Sequence, residues 1–298
     1  MLRSRSSGVL ALSALLVLLA ACQAGDPDAT PYDAGDSDAG PDVPSTLLVE
    51  PVDAPTPIAD GATFTATVTH PYLPLSLVPY AELKGGDVRI VRAVAAQTEV
   101  VGDVECLVLA EHEYDGGELA EVSYNFFAQD GKGNVWYFGE RVDEYDDGQV
   151  VAHGGAWEVG RNADEPCLIM PAEPKVGLRF KPENSPPDAE EFDEIDALDA
   201  RLEVPAGNFH DVLVIKEGDE PGKWSERKYY ARGVGNIKVG TAGHDAEGEV
   251  LVLERVRQLS AGARAWVRKE ALKLDRRAYR VRADLYRHTP PAEPITAA

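Results

Sequence analysis

The chain is poor in the residues that usually announce a chemistry. Three cysteines, two methionines and six histidines are spread over 298 residues, and aromatics make up 7% of it. It contains no Gly-x-Ser-x-Gly elbow and no His-Glu-x-x-His pair, so the local geometry of a serine-hydrolase nucleophile or a zinc-protease helix is missing. Basic residues are outnumbered: 29 Lys plus Arg face 51 Asp plus Glu, for a formal charge of −22. Such an acidic balance argues against nucleic acid as a partner. The apolar run Val9–Leu19 is shorter than the roughly 20 residues a permanent membrane helix needs. No cofactor or metal is expected from this inventory.

What is present begins with that short run. It follows Arg3 and Arg5 and ends in Leu19-Ala20-Ala21-Cys22, the layout of a secretory signal. The ending resembles a bacterial lipobox. The resemblance implies removal of residues 1–21, attachment of lipid (palmitate included) to Cys22, and a membrane-bound protein of the cell envelope. Gln23 after the lipidated cysteine resembles outer-membrane sorting in Gram-negative bacteria. Residues 22–46 are almost wholly Asp, Ala, Gly and Pro and offer no apolar face, so they read as a disordered linker. An EF-hand needs Gly at its sixth position and Glu at its twelfth. Counting from Asp36 gives Pro41 and Leu47, which excludes that loop.

Residues 47–260 read as one all-β domain. Val88–Val94, Val104–Tyr114 and Val122–Phe126 are β-branched, apolar or alternating, and Asp115-Gly116-Gly117 and Asp146-Asp147-Gly148 are hairpin signals. Further strands are expected at Val135–Phe138, 149–153, 211–217, 226–231, 236–240 and 249–258. Short strands joined by Gly-rich turns predict a curved antiparallel meander, a barrel or half-barrel. Residues 160–188 are expected to be its longest irregular stretch. Residues 261–298 form a basic tail. Val267, Ala271, Leu274, Ala278, Val281 and Leu285 make an apolar stripe that predicts one amphipathic helix from Ala265 to Arg287. Residues 255–298 carry 11 Lys or Arg against four acidic residues, a net of +7, leaving −31 on residues 22–254. The helix is expected to dock on the acidic domain or on an anionic surface.

Phe127-Ala-Gln-Asp130 and Gly133-Asn-Val-Trp-Tyr-Phe-Gly-Glu140 resemble a signature of secreted and lipoprotein sequences from actinobacteria and other bacteria. Gly155-Ala-Trp-Glu158, Ile169-Met-Pro-Ala172, Val204–Phe209 and Lys228–Gly235 follow in order. The resemblance covers residues 75–240 and implies a domain, not a reaction. Cys167 stands where similar sequences tend to have Gly.

Trp136, Tyr137, Phe138, Trp157, Tyr124 and Phe126 are the candidate ligand-binding wall; the alternative is that they fill a barrel interior. Asp130–Asn134 either cradles a cation or makes a plain tight turn. Cys106 and Cys167 are the candidates for a disulfide, which an exported compartment permits. His112 is expected to meet Glu121 across a two-residue hairpin. The functional expectation is a membrane-tethered binding or interaction module, not an enzyme. Its ligand would be apolar, amphipathic or sugar-like, or its partner another envelope component. The alternatives are a carboxylate-dependent envelope hydrolase and a structural envelope component.

Overall fold

The computed structural model describes residues 52–53, 62–187, 189–242, 250–288 and 291–292. Cys22, the expected signal peptide and the expected linker lie outside the described residues.

Strands β1 (Val52–Asp53), β2 (Phe64–Thr65), β3 (Tyr80–Gly85), β4 (Val88–Val101), β5 (Val104–Asp115), β6 (Glu118–Asp130), β7 (Val135–Asp146), β8 (Gln149–Ala152), β9 (Trp157–Glu158) and β10 (Cys167–Met170) build the first half. The second half holds β11 (Leu178–Ser185), β12 (Ala189–Val204), β13 (Gly207–Gly218), β14 (Glu226–Ala231), β15 (Gly235–Thr241) and β16 (Leu251–Val256). Both halves are meanders, β3 to β7 and β11 to β16, and antiparallel pairing of β16 with β3 makes them one sheet. Its path begins at β1, which runs parallel to β11, and ends at β10 on β7. The sheet is therefore a curved, almost wholly antiparallel meander that does not close by hydrogen bonds.

The turns follow from their residues. Gly116-Gly117 and Asp147-Gly148 each place two consecutive residues at positive φ, the two-residue turn whose twist matches that of the flanking strands. A bulge then shifts the β5–β6 register so that Glu121 faces Glu113 and Val122 faces His112. The extra residue, Ala120, removes the expected His112–Glu121 pairing. His112 instead lies beside Trp266, with ring centroids 6.1 Å apart.

The stretch expected to be irregular contains β10 and β11, and the acidic segment after it forms β12, the longest strand. Asp and Glu are poor strand formers. Here β12 alternates: Asp193 and Ile195 are buried, whereas Glu194 and Asp196 face cations on the neighbouring strands. Arg179 lies 2.7 Å from Glu194, Lys216 lies 2.7 Å from Glu194 and 3.2 Å from Asp196, and Arg227 lies 3.2 Å from Asp196. Opposite charges directly across a ladder favour the pairing where propensity does not.

After the sheet, Ser260 caps helix α1 (Ala261–Val281) by accepting a hydrogen bond from the Ala263 N–H at 3.2 Å. The helix starts earlier than its stripe predicts and stops at Arg282, where the backbone leaves the helical region. A short turn, α2 (Ala283–Tyr286), re-aims the chain and buries Tyr286, while Val281 is left exposed. Val267, Ala271 and Leu274 join the main core with residues of β4 to β7, so the apolar stripe docks on the sheet.

Candidate functional site

The six aromatics proposed as a ligand wall are all buried: Trp157 is fully covered and Trp136, the most accessible, is 5% exposed. They divide between the two faces of the sheet. Tyr137 stacks on Phe127 at 4.8 Å and meets Trp157 edge-on at 5.2 Å, while Phe138 meets Phe64 edge-on at 5.3 Å. Tyr124 and Phe126 lie under α1, where a residual cavity of about 10 Å³ leaves no room for a ligand. The surrounding motif is structural. The Asp130 carboxylate accepts hydrogen bonds from the N–H groups of Lys132 and Asn134, the Asn134 side-chain amide and the Trp136 indole, at 2.8–3.0 Å. Those bonds hold its pKa below the usual range, against the opposing effect of burial. The turn closes on itself and fixes Trp136. Gly139 sits at φ 126°, and a Cβ there would lie 2.2 Å from the Trp157 carbonyl oxygen. Glycine is thus required for β9 to pair with β7.

Cys106 and Cys167 are both free and buried, so the expected disulfide is corrected. They sit on β5 and β10, three steps apart along the sheet path. At about 4.8 Å per step that is roughly 14 Å, far beyond the reach of a disulfide.

Beneath α1 the sheet carries a buried ionic cluster that the sequence did not disclose. Arg141 of β7 contacts Glu158 at 2.6 Å, Glu99 at 3.4 Å and Asp275 of the helix, and all four side chains are buried. Arg161 adds a second cation, 2.9 Å from Glu158. Two guanidinium groups thus serve three carboxylates. The surplus falls on Glu99, the carboxylate farthest from Arg141 of the three, whose pKa burial raises to about 7 despite the neighbouring cation. Close by, His153 Nδ1 lies 2.8 Å and Arg277 Nε 3.4 Å from the buried Asp143 carboxylate, which burial still lifts to about 6. This cluster fastens the helix and offers no opening to a substrate.

An open site lies elsewhere, at the seam where the sheet fails to close. β10 lies against β11 without a ladder, and next to it a cleft of about 740 Å³ opens. Its aromatic surfaces come from Phe180, Phe192 and Trp224; Arg179 and Lys181, paired with Glu194 at 2.7 Å and Glu190 at 2.6 Å, line it together with Asp164 and Glu165. Two aromatic faces already carry an ammonium: Lys181 Nζ lies 4.5 Å from the Phe192 ring centre and Lys216 Nζ 5.5 Å from that of Trp224. Asp193 contributes a buried carboxyl, one oxygen of which has no hydrogen-bond partner. Burial and the nearby Glu217 push its pKa well above the ordinary carboxylate range, although Lys228 opposes them. Lys228 is itself held by Glu217 in a buried ion pair.

The volume falls within the roughly 300–1,000 Å³ typical of small-molecule sites. Of the residues singled out in the sequence, only Cys167 touches the cleft. The rest of the site comes from residues 164–168, 179–193 and 221–224, which no motif marks. Among the described residues no group of three or more His, Cys, Asp or Glu side chains is arranged to hold a metal ion. The chain matches no family model, no curated protein and no solved structure.

Proposed function

We propose that the chain is a lipid-anchored envelope protein that binds an amphipathic ligand in the seam cleft. The observation that carries this reading is the cleft itself: three aromatic surfaces edged by Arg179 and Lys181 in about 740 Å³. Such a lining favours a molecule with an apolar or sugar-like body and a polar end able to compete for Arg179 and Lys181, which are paired with Glu194 and Glu190. The anchor belongs to the same reading through the Leu19–Cys22 motif, and the acidic segment after it would hold the domain off the membrane.

Two experiments test the two halves. Trp224→Ala should weaken binding of an anionic fluorescent amphiphile by about tenfold, the scale of one lost aromatic contact. Unchanged binding would remove the cleft from the account. Cys22→Ser should move the protein out of the salt-washed membrane fraction; retention after the wash would contradict the anchor.

Carboxylate-dependent hydrolysis is the second reading, and Asp193 is the observation behind it. A buried carboxyl whose pKa is pushed upward by burial has the direction of shift that a general acid needs. The partner carboxylate would have to come from Asp164 or Glu165, which also line the cleft. Asp193→Asn tests it: turnover of any glycoside or ester substrate should fall by at least about 100-fold.

A further inference from the structure

The outward face of α1 is organised as strictly as the face it buries. Lys269, Lys273, Arg276 and Arg280 step by 4, 3 and 4 residues, and all four are exposed. At 3.6 residues per turn they form one ridge about 17 Å long. It lies about 180° around the helix from Val267, Ala271, Leu274 and Ala278, the buried stripe. Arg287 continues the basic surface just past α2 and is exposed. The helix has two acidic residues: Asp275 is buried beneath it, and Glu270 lies 3.2 Å from Lys273. Asp284, beyond the helix, lies 3.7 Å from Arg282. At the amino-terminal end of the ridge Trp266 is 55% exposed, the largest side chain among the exposed hydrophobics.

A basic ridge is out of place on a chain of net charge −22 unless something anionic meets it. We infer that the exposed face of α1 docks on an anionic phospholipid leaflet, with the ridge over the headgroups and Trp266 at the interface. Three features favour this occupant. The ridge is straight and unbroken, which suits a planar array of charge rather than a single ligand. Tryptophan beside cations is the usual composition of an interfacial contact. At about 0.15 M salt the Debye length is roughly 8 Å, so the ridge acts at contact while acidic groups farther away are screened. The proposal does not depend on acylation of Cys22 or on the cleft. It gives the domain a fixed orientation on a membrane, whereas a lipid on a long linker alone would let it tumble.

The test uses the full chain with Cys22→Ser, which separates the ridge from any anchor. Co-sedimentation is measured with vesicles of phosphatidylcholine alone and of phosphatidylcholine mixed with phosphatidylglycerol. Binding to the mixed vesicles is expected at low salt, with a blue shift in Trp266 emission that Trp266→Phe abolishes. It should disappear in about 0.5 M salt, where the Debye length falls to a few ångström. The K269Q/K273Q/R276Q/R280Q variant should lose at least about 100-fold in affinity, since each cation contributes separately at the surface. Its thermal unfolding should be unchanged, because all four side chains are exposed. Equal binding to both vesicle types, undiminished binding by the variant, or no binding would overturn the inference. So would binding that appears only after residues 25–43 are deleted, which would assign the ridge to the chain's own Asp-rich segment.

Discussion

Asp275 of the carboxy-terminal helix and Arg141 of β7, 134 residues apart in the chain, form a buried ion pair. Together with Arg277 on Asp143, it joins the basic tail to the acidic domain through specific buried contacts rather than through diffuse attraction. Because Arg141 also serves Glu99 and Glu158, its removal would strip three buried carboxylates of their shared cation and leave Arg161 on Glu158.

Arg141→Met should therefore be among the most damaging single substitutions, costing about 3–5 kcal/mol, the usual penalty for orphaning a buried charge. Asp275→Asn removes one charge from a cluster that is already one carboxylate in excess, and should cost about 1–2 kcal/mol. Urea denaturation compares the two. Equal effects would contradict the shared-cation arrangement.

Two buried carboxyls set a pH dependence. Glu99 and Glu226 are each raised by burial to about 7, above their ordinary value of 4.5. A carboxyl whose pKa is raised on folding stabilises the native state while protonated, and that contribution fades as pH rises through the folded pKa. Stability should thus increase on acidification from about pH 8 to 6.5, by an amount on the order of 1 kcal/mol. Glu99→Gln should flatten about half of that slope. Below this window His70 works the other way. Burial depresses it to about 4, so the unfolded chain takes up its proton first and offsets part of the gain that the two carboxyls continue to bring down to their ordinary value of 4.5. Thermal unfolding measured across pH 5 to 8 follows the net effect.

Gly139→Ala should destabilise by about 3 kcal/mol, because the new Cβ would collide with the Trp157 carbonyl at an unfavourable φ. Gly148→Ala meets no atom within 4 Å and bears only the left-handed strain of a turn, about 1 kcal/mol. Tryptophan emission and chemical denaturation of the two variants separate collision from strain.

Both thiols should resist labelling in the folded protein and react once it is unfolded. Cys106 is fully buried, and burial pushes the Cys167 pKa up to about 12, so neither supplies thiolate at neutral pH. With Cys22→Ser, a thiol reagent should count two groups in denaturant without reductant. A count of zero would restore the disulfide.

The meander was legible because its strands alternate or run apolar between Gly-rich turns, from Val104 to Phe138 especially. The Ala120 bulge was not, since a one-residue shift leaves no mark on composition. The second half of the sheet hid its longest strand in an Asp/Glu-rich segment, where pairing with Arg179, Lys216 and Arg227 outweighs low intrinsic propensity. The cleft was invisible because Phe180, Phe192 and Trp224 belong to no motif, and the pairing of β11 with β12 and the β13–β14 connection bring them together. The aromatic motif drew attention for its content, but Asp130 and Gly139 show that its residues are fixed by packing.

Native mass spectrometry of the full chain carrying Cys22→Ser, purified from its own host, tests the binding claim most directly. A co-purifying amphipathic molecule is expected, and it should be lost when Trp224→Ala and Phe192→Ala are introduced together. A clean apo mass, or a ligand retained by that double variant, would contradict the claim.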